Sequence, residues 1–124
     1  MRPVLVVEDH ADTRQLIQDF LTAERIPNVA AENGLRALDL LARTRPCLIL
    51  LDLTMPVMDG WRFREEQRRQ PEHELANIPV VILSALHDCR DHAKELGAVD
   101  VFEKPVDFDR LMALVHRYCD AAEA

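Results

Sequence analysis

Five short runs of the chain read as strands: Val4 to Val7, a weaker one near Asn28 to Ala31, Leu48 to Leu51, Val80 to Leu83, and Val99 to Phe102. Three of them are apolar without interruption. That pattern suits strands covered on both faces, as in a parallel sheet between helices, better than the alternation of a half-solvated antiparallel sheet. The intervening segments carry helical spacing. Leu16, Ile17, Phe20 and Leu21 form one apolar stripe, with Asp12 or Thr13 available as a cap. Ala37, Leu38, Leu41 and Ala42 repeat it after Asn33-Gly34, and Pro46 stops the second helix. A third helix is predicted from about Asp59 to Gln70, ended by Pro71. A fourth, Arg90 to Leu96, closes on Gly97 as a left-handed cap. The last helix places Phe108, Leu111, Met112, Val115 and Cys119 on one face, with Asp107 as N-cap. Strand followed by helix, five times over, predicts a doubly wound open α/β sheet, because parallel neighbours need helical crossovers.

Each strong strand hands over directly to a polar side chain: Val7 to Glu8-Asp9, Leu51 to Asp52, Leu83 to Ser84, and Phe102 to Glu103-Lys104. In an open parallel sheet the carboxyl ends of the strands line the ligand crevice, so these residues are expected to meet. Taken singly, each has a plainer reading as a turn residue, a helix cap or a solvated charge. Together Glu8, Asp9 and Asp52 place three carboxylates beside Lys104 and the Ser84 hydroxyl. Mutual repulsion disfavours the ionised carboxylates unless a cation sits among them, and hard oxygen donors favour Mg²⁺.

Composition narrows the picture further. The chain has 124 residues, enough for a single domain spanning 1–124 that builds its own core. A net charge of -7 repels phosphate backbones and anionic lipids, so neither direct nucleic-acid binding nor membrane attachment is expected. No apolar run approaches the ~20 residues of a bilayer span, and a cytoplasmic protein is expected. The three cysteines, Cys47, Cys89 and Cys119, are odd in number, widely spaced and free of C-x-x-C, and are read as reduced packing residues. Arg62, Arg64, Arg68 and Arg69 are read as a solvated face of the third helix, and His10 and His87 are given no role.

The segments Val6-Val7-Glu8-Asp9, Leu50 to Gly60 (LLDLTMPVMDG), Ile78 to Ala85 (IPVVILSA) and Lys104-Pro105 together resemble response-regulator receiver domains of two-component signalling. The resemblance covers essentially the whole chain in the right order. It implies a flavodoxin-like (βα)5 fold with strand order 2-1-3-4-5. It implies that Asp52 is the phosphoacceptor, taking a phosphoryl group from a phosphohistidine of a sensor histidine kinase or histidine phosphotransfer protein. Glu8, Asp9, Asp52 and the main-chain carbonyl of Thr54 would hold Mg²⁺. Ser84 and Lys104 would contact the phosphoryl oxygens, and Pro105 would follow a cis peptide. Such a domain is a signalling switch and not an enzyme. Its output is a shifted surface around the fourth helix, fifth strand and last helix, read by a downstream protein target or by a phosphorylation-dependent homodimer in place of the monomer.

Departures from the family pattern fall in that output region. The position three before the lysine is usually aromatic, whereas here it is Val101, with Phe102 beside it. The stretch from Ser84 to Lys104 is two residues shorter than usual, and Thr54 and Leu86 occupy positions that tune phosphate lifetime. Trp61 is expected close enough to the pocket to report ligand binding by fluorescence.

Three rival readings are weaker. A haloacid-dehalogenase-like phosphatase needs a second aspartate two residues after the first, where Thr54 stands. A nucleotide or flavin binder needs a glycine-rich phosphate loop that Gly34, Gly60 and Gly97 do not form. A degenerate receiver that binds partners without phosphorylation would not need Glu8, Asp9, Asp52, Ser84 and Lys104 together.

Overall fold

The computed structural model describes residues 1–85 and 89–120. Leu86 and His87 lie outside them, as does the side chain of Cys89. The strands are β1 (Val4–Val7), β2 (Asn28–Ala31), β3 (Leu48–Asp52), β4 (Val80–Ser84) and β5 (Asp100–Glu103). All neighbours are parallel, in the order β2-β1-β3-β4-β5 that the resemblance implies. The helices are α1 (Ala11–Ala23), α2 (Gly34–Thr44), α3 (Gly60–Arg68), α4 (His73–Ala76), α5 (Cys89–Leu96) and α6 (Phe108–Val115), the last running into a π-helical turn at His116–Asp120.

The two-residue period of the strands divides the core into two layers. Leu5, Val7, Ile49, Leu51, Val80 and Ile82 face one way, against residues of α2, α3, α4 and α5. Val4, Val6, Leu48, Leu50, Val81 and Leu83 face the other way, against α1 and α6. Both faces are covered, which explains why the strands carry no polar alternation. Phe20 of α1 stacks on Phe108 of α6, ring centroids 4.5 Å apart, and joins the two helices of the second layer.

Several local expectations are corrected. The N-cap of α1 is His10, whose ring accepts from the Thr13 N–H, and not Asp12 or Thr13. Leu16 is 58% exposed, because a stripe at i, i+1, i+4, i+5 is wider than the sheet can cover and only Ile17 and Leu21 are fully enclosed. The third helix stops at Arg68, and α4 is an extra single turn between it and β4, so the predicted fourth helix is α5. Gly97 has φ +64, the left-handed cap expected.

Arg64 is not on a solvated face. It is 7% exposed, donates through Nε to Leu96 O at 2.8 Å and through Nη1 to Gln67 Oε1 at 2.7 Å, and Arg68 also reaches Leu96 O. The two guanidinium groups cap the carbonyl end of α5, where the helix dipole favours positive charge. Burial, with Arg68 nearby, pulls the Arg64 guanidinium down to about 10, so it stays charged at neutral pH.

The cysteine reading is also corrected. Cys47 and Cys119, 72 positions apart, form a disulfide that ties the π-helical turn to the residue preceding β3.

Candidate functional site

Strand order reverses at β1, and the site sits on the carboxyl ends of β1 and β3 beside it. Val7 pairs with Leu51 in register, so Glu8 and Asp52, one residue further on, emerge side by side. Asp52 pairs with Leu83, which puts Ser84 on the adjacent strand end, and Ser84 pairs with Glu103. The Lys104 N–H donates to Ser84 O at 2.8 Å, fixing the start of the β5–α6 loop. The Lys104–Pro105 peptide is cis, as the resemblance implies. All four strand ends named from the sequence therefore converge.

Glu8 is completely buried, Asp52 is 5% exposed and Ser84 3% exposed, whereas Asp9 opens to solvent. Carboxylate oxygens of Glu8, Asp9 and Asp52 lie within 4.8 Å of one another. The Lys104 ammonium donates to Glu8 Oε1 and stands 3.8 Å from Asp52 Oδ2. Three ionised carboxylates and one ammonium leave two negative charges uncompensated in a largely buried cluster. The protein accommodates this by protonation. Burial first, and then the neighbouring Glu8 carboxylate, push the Asp52 carboxyl up to about 8. Asp9 moves the other way: burial opposes its ionisation, but hydrogen bonds with Asp52 and Glu8 outweigh this and hold it below the ordinary carboxylate value. The donor set, all hard oxygen with a deficit of two positive charges, fits a divalent cation such as Mg²⁺.

The loop after β3 shows why the Met-Asp-Gly sequence is needed. Asp59 caps α3 by accepting from Arg62 N–H at 2.9 Å. A Cβ on Gly60 would lie 2.4 Å from Asp52 O and 2.8 Å from Leu53 Cα, so only glycine lets α3 start against the backbone of the buried aspartate. The Thr54 N–H donates to Asp52 Oδ1 at 3.3 Å, orienting the carboxylate from below. Between them, Val57 has φ +67 while Met58 N–H bonds Pro56 O at 2.7 Å, the geometry of a γ-turn that β-branched residues rarely adopt. Val57 is 78% exposed at its tip.

Some contributors were not foreseen from the residues. Arg14 of α1 donates to Glu8 O at 2.9 Å and to Asp9 O at 3.4 Å, so the helix holds the acidic loop by its backbone. Its place six residues after Glu8 was the available signal. A groove of about 380 Å³ runs beside Lys104, lined by Leu16, Ile17, Pro105, Val106 and Phe108 and almost wholly apolar. Trp61 is half-buried against the α2–α5 layer and meets the His92 ring edge-on at 4.7 Å. Val101 is half-buried in that same layer, while Phe102 is buried on the opposite face under the Arg110 guanidinium, 4.5 Å from the ring centroid.

The model of the response regulator receiver domain matches residues 4–116. The chain is 36% identical over 117 residues to sporulation initiation phosphotransferase F of Bacillus subtilis, covering 93% of this chain and 91% of that protein. It is 35% identical over 117 residues to the transcriptional regulatory protein PcoR of Escherichia coli, where it spans 93% of this chain but only 50% of the relative. Among solved structures, the receiver domain of a sensor histidine kinase from Pseudomonas aeruginosa PAO1 superposes with a TM-score of 0.82 at 26% identity, covering 94% of this chain and 96% of that one. That structure has a magnesium ion coordinated in its active site cleft. With the parallel 2-1-3-4-5 sheet and the acidic cluster at its switch point, these matches show that the chain belongs to the response-regulator receiver domain family of two-component systems.

Proposed function

We propose that the chain works as a single receiver unit in which Asp52 accepts a phosphoryl group from a phosphohistidine of a sensor histidine kinase or phosphotransfer protein. The observation that carries this reading is the cluster of Glu8, Asp9 and Asp52 with Lys104, two positive charges short of neutrality and aligned on one sheet edge. Glu8, Asp9, Asp52 and the Thr54 carbonyl are the residues that would hold Mg²⁺. When bound, the ion supplies positive charge to the phosphoryl oxygens and keeps Asp52 ionised as a nucleophile.

The chain's own residues do the rest. The Thr54 N–H orients the Asp52 carboxylate and the close packing of Gly60 fixes its backbone, so that one oxygen is offered to an incoming phosphorus in line. The carboxylate forms the new oxygen–phosphorus bond, the histidine nitrogen leaves with its electron pair, and the product is an acyl phosphate. Lys104, moving from Glu8 toward the phosphoryl group, neutralises one equatorial oxygen, and the Ser84 hydroxyl donates to another. The phosphoryl group carries about 1.5 to 2 negative charges where the carboxylate carried one, and brings three strong acceptor oxygens beside β4 and β5. Reversing an equilibrium from about 1:99 to 99:1 takes ~5.5 kcal/mol, within reach of two or three charge-assisted contacts. The surface that would shift is that of α5, β5 and α6, read by a downstream protein target, as a monomer or as a phosphorylation-dependent homodimer.

The apolar groove beside Lys104, with exposed Leu16 on its lining, supports docking of the phosphoryl donor at this face. A cytoplasmic location is part of this reading, since the proposed phosphoryl donors act there; among the described residues, no helix is long and apolar enough to cross a membrane. Borohydride trapping tests the chemistry. The acyl phosphate at residue 52 is reduced to homoserine, and peptide mapping after phosphorylation should find homoserine at that position alone. Homoserine at another aspartate, or none in a phosphorylated sample, would overturn the assignment.

A further inference from the structure

We propose that Cys47 and Cys119 form a reversible dithiol–disulfide site, exchanging with a small thiol and disulfide couple of the glutathione class, that clasps the last helical turn to the base of the sheet. Three observations carry it. The first is that the fold provides for both states of the pair. In the oxidised state the two sulfurs are bonded to each other. In the bonded state Cys47 Sγ already stands 3.1 Å from Arg2 O and 3.6 Å from Pro3 O, so carbonyl acceptors lie beside the sulfur for the thiol that reduction would create. The second is the π-helical turn His116–Asp120, a rare geometry that inserts itself at the residues carrying Cys119 and directs it onto Cys47. The third is a route of entry. A groove of about 330 Å³ opens onto Cys47 between His73, Asn77 and Tyr118, with Arg2 on its rim, large enough for a small peptide thiol and lined by groups that can hydrogen-bond it.

Elsewhere the bridge lies under cover, Cys47 being 3% exposed and Cys119 fully buried. A disulfide of this kind in a cytoplasmic protein, the location proposed above, is ordinarily transient and redox-responsive, since the surrounding thiol pool keeps static thiols reduced. The step balances without any other reagent. One cysteine thiolate attacks the low-molecular-weight disulfide, forming a mixed disulfide and expelling one thiolate. The second cysteine thiolate attacks the protein sulfur of that mixed disulfide, closing the bridge and expelling the second thiolate. The expelled thiolates take up the two protons released by the cysteines. Two electrons pass from the protein to the small disulfide, and the reverse sequence reopens the clasp. Reduction is expected to free the π-helical turn and leave the sheet and the acidic cluster in place.

The test equilibrates the whole chain in a graded series of reduced to oxidised glutathione, quenches it in denaturant with N-ethylmaleimide, and counts adducts by intact mass. With three cysteines in the chain, the expected count falls from three to one as the series becomes oxidising, with both adducts lost together. Hydrogen exchange on the reduced form should show faster exchange confined to the last helical segment. Three adducts at every ratio would show that the bridge does not form. One adduct at every ratio in the folded protein would show a static bridge. Either result overturns the proposal. The count does not depend on Asp52, so its failure is distinct from failure of the phosphoryl-acceptor reading.

Discussion

At the lower edge of the sheet, where the strands begin, charge is matched: Arg2 pairs with Glu74 at 3.2 Å, Arg45 with Glu72 at 2.5 Å and with Glu74 at 3.5 Å. Arg2 also donates to the carbonyls of Arg45 and Pro46, and the Cys47–Cys119 bridge closes the same region covalently. At the upper edge, where the strands end, three carboxylates face one lysine, and the loop that follows β3 holds Val57 at positive φ. Strands β1, β3 and β4 run from one edge to the other, so the contrast comes from what stands at each end. Matched pairs and a cross-link suit an edge that anchors the fold. A surplus of negative charge gathered around two buried carboxylates makes no sense as an anchor, and suits an edge that waits for a cation and an anion to arrive together.

The largest effect expected from breaking this contrast is at the lower edge. Closing a loop of this length restricts the unfolded chain by about 4 kcal/mol in the chain-entropy account, with the loop set by the separation of 72. Cys47→Ser should therefore lose on that order relative to the oxidised parent, and little relative to the reduced parent. Urea unfolding of the three samples side by side measures both differences.

Next comes Gly60→Ala, which forces a methyl into backbone atoms of Asp52 and Leu53. A loss of roughly 1 to 3 kcal/mol is expected for overpacking of this kind. The displaced Asp52 should also accept phosphate more slowly from acetyl phosphate, a coupling absent from Cys47→Ser. Equal loss of stability with an unchanged labelling rate would mean that Gly60 serves folding alone.

The upper edge should also make stability depend on pH. In the folded, metal-free protein the Asp52 carboxyl is raised to about 8 from an ordinary value of 3.8. The folded state thus holds a proton that the unfolded state releases. This stabilisation is fully present below about pH 4 and is lost as pH rises from there through about 8. Asp9, held below its ordinary value, works in the opposite sense and only at more acid pH. Asp52→Asn should flatten the slope between pH 4 and 8, as should saturating Mg²⁺. Urea midpoints measured in chelator across that range provide the check, and a slope retained by Asp52→Asn would place the perturbed group elsewhere.

The smallest effect on folding is expected at Leu16, which is 58% exposed. Leu16→Glu should change stability by no more than about 0.5 kcal/mol. It should slow phosphoryl transfer from a protein donor yet leave labelling by acetyl phosphate unchanged. Parallel time courses with the two donors separate docking from chemistry.

These contrasts also mark what could be read from residues alone. The strands were legible because each is a short apolar run bounded by polar residues, and the helix ends at Pro46 and Gly97 because those residues act locally. The convergence was legible for the same reason: Glu8, Asp9, Asp52, Ser84 and Lys104 each lie at a strand end or within two residues beyond it, and a parallel sheet brings strand ends together. Local signals say nothing of partners distant in sequence. The burial of Arg64 depends on where the carbonyl end of α5 falls, 32 positions later. Periodicity put Cys119 on the buried face of the last helix, but its pairing with Cys47, 72 positions away, has no local signal. The turn α4 spans only four residues after Pro71, too short to show a helical period. Leu16 differs for a geometric reason, since it sits at the end of the stripe on the open groove beside Lys104, whereas Ile17 and Leu21 face the sheet and Phe20 packs on Phe108.

The central claim is that the upper edge is a metal-dependent phosphoryl acceptor centred on Asp52. Intact mass after exposure to acetyl phosphate, with Mg²⁺ or with chelator, for the parent and Asp52→Asn, tests it most directly. A single phosphoryl addition is expected in the parent with Mg²⁺ and in neither control. Addition of equal extent to Asp52→Asn, or no addition to a parent that binds Mg²⁺ under conditions where another receiver is labelled, would contradict it.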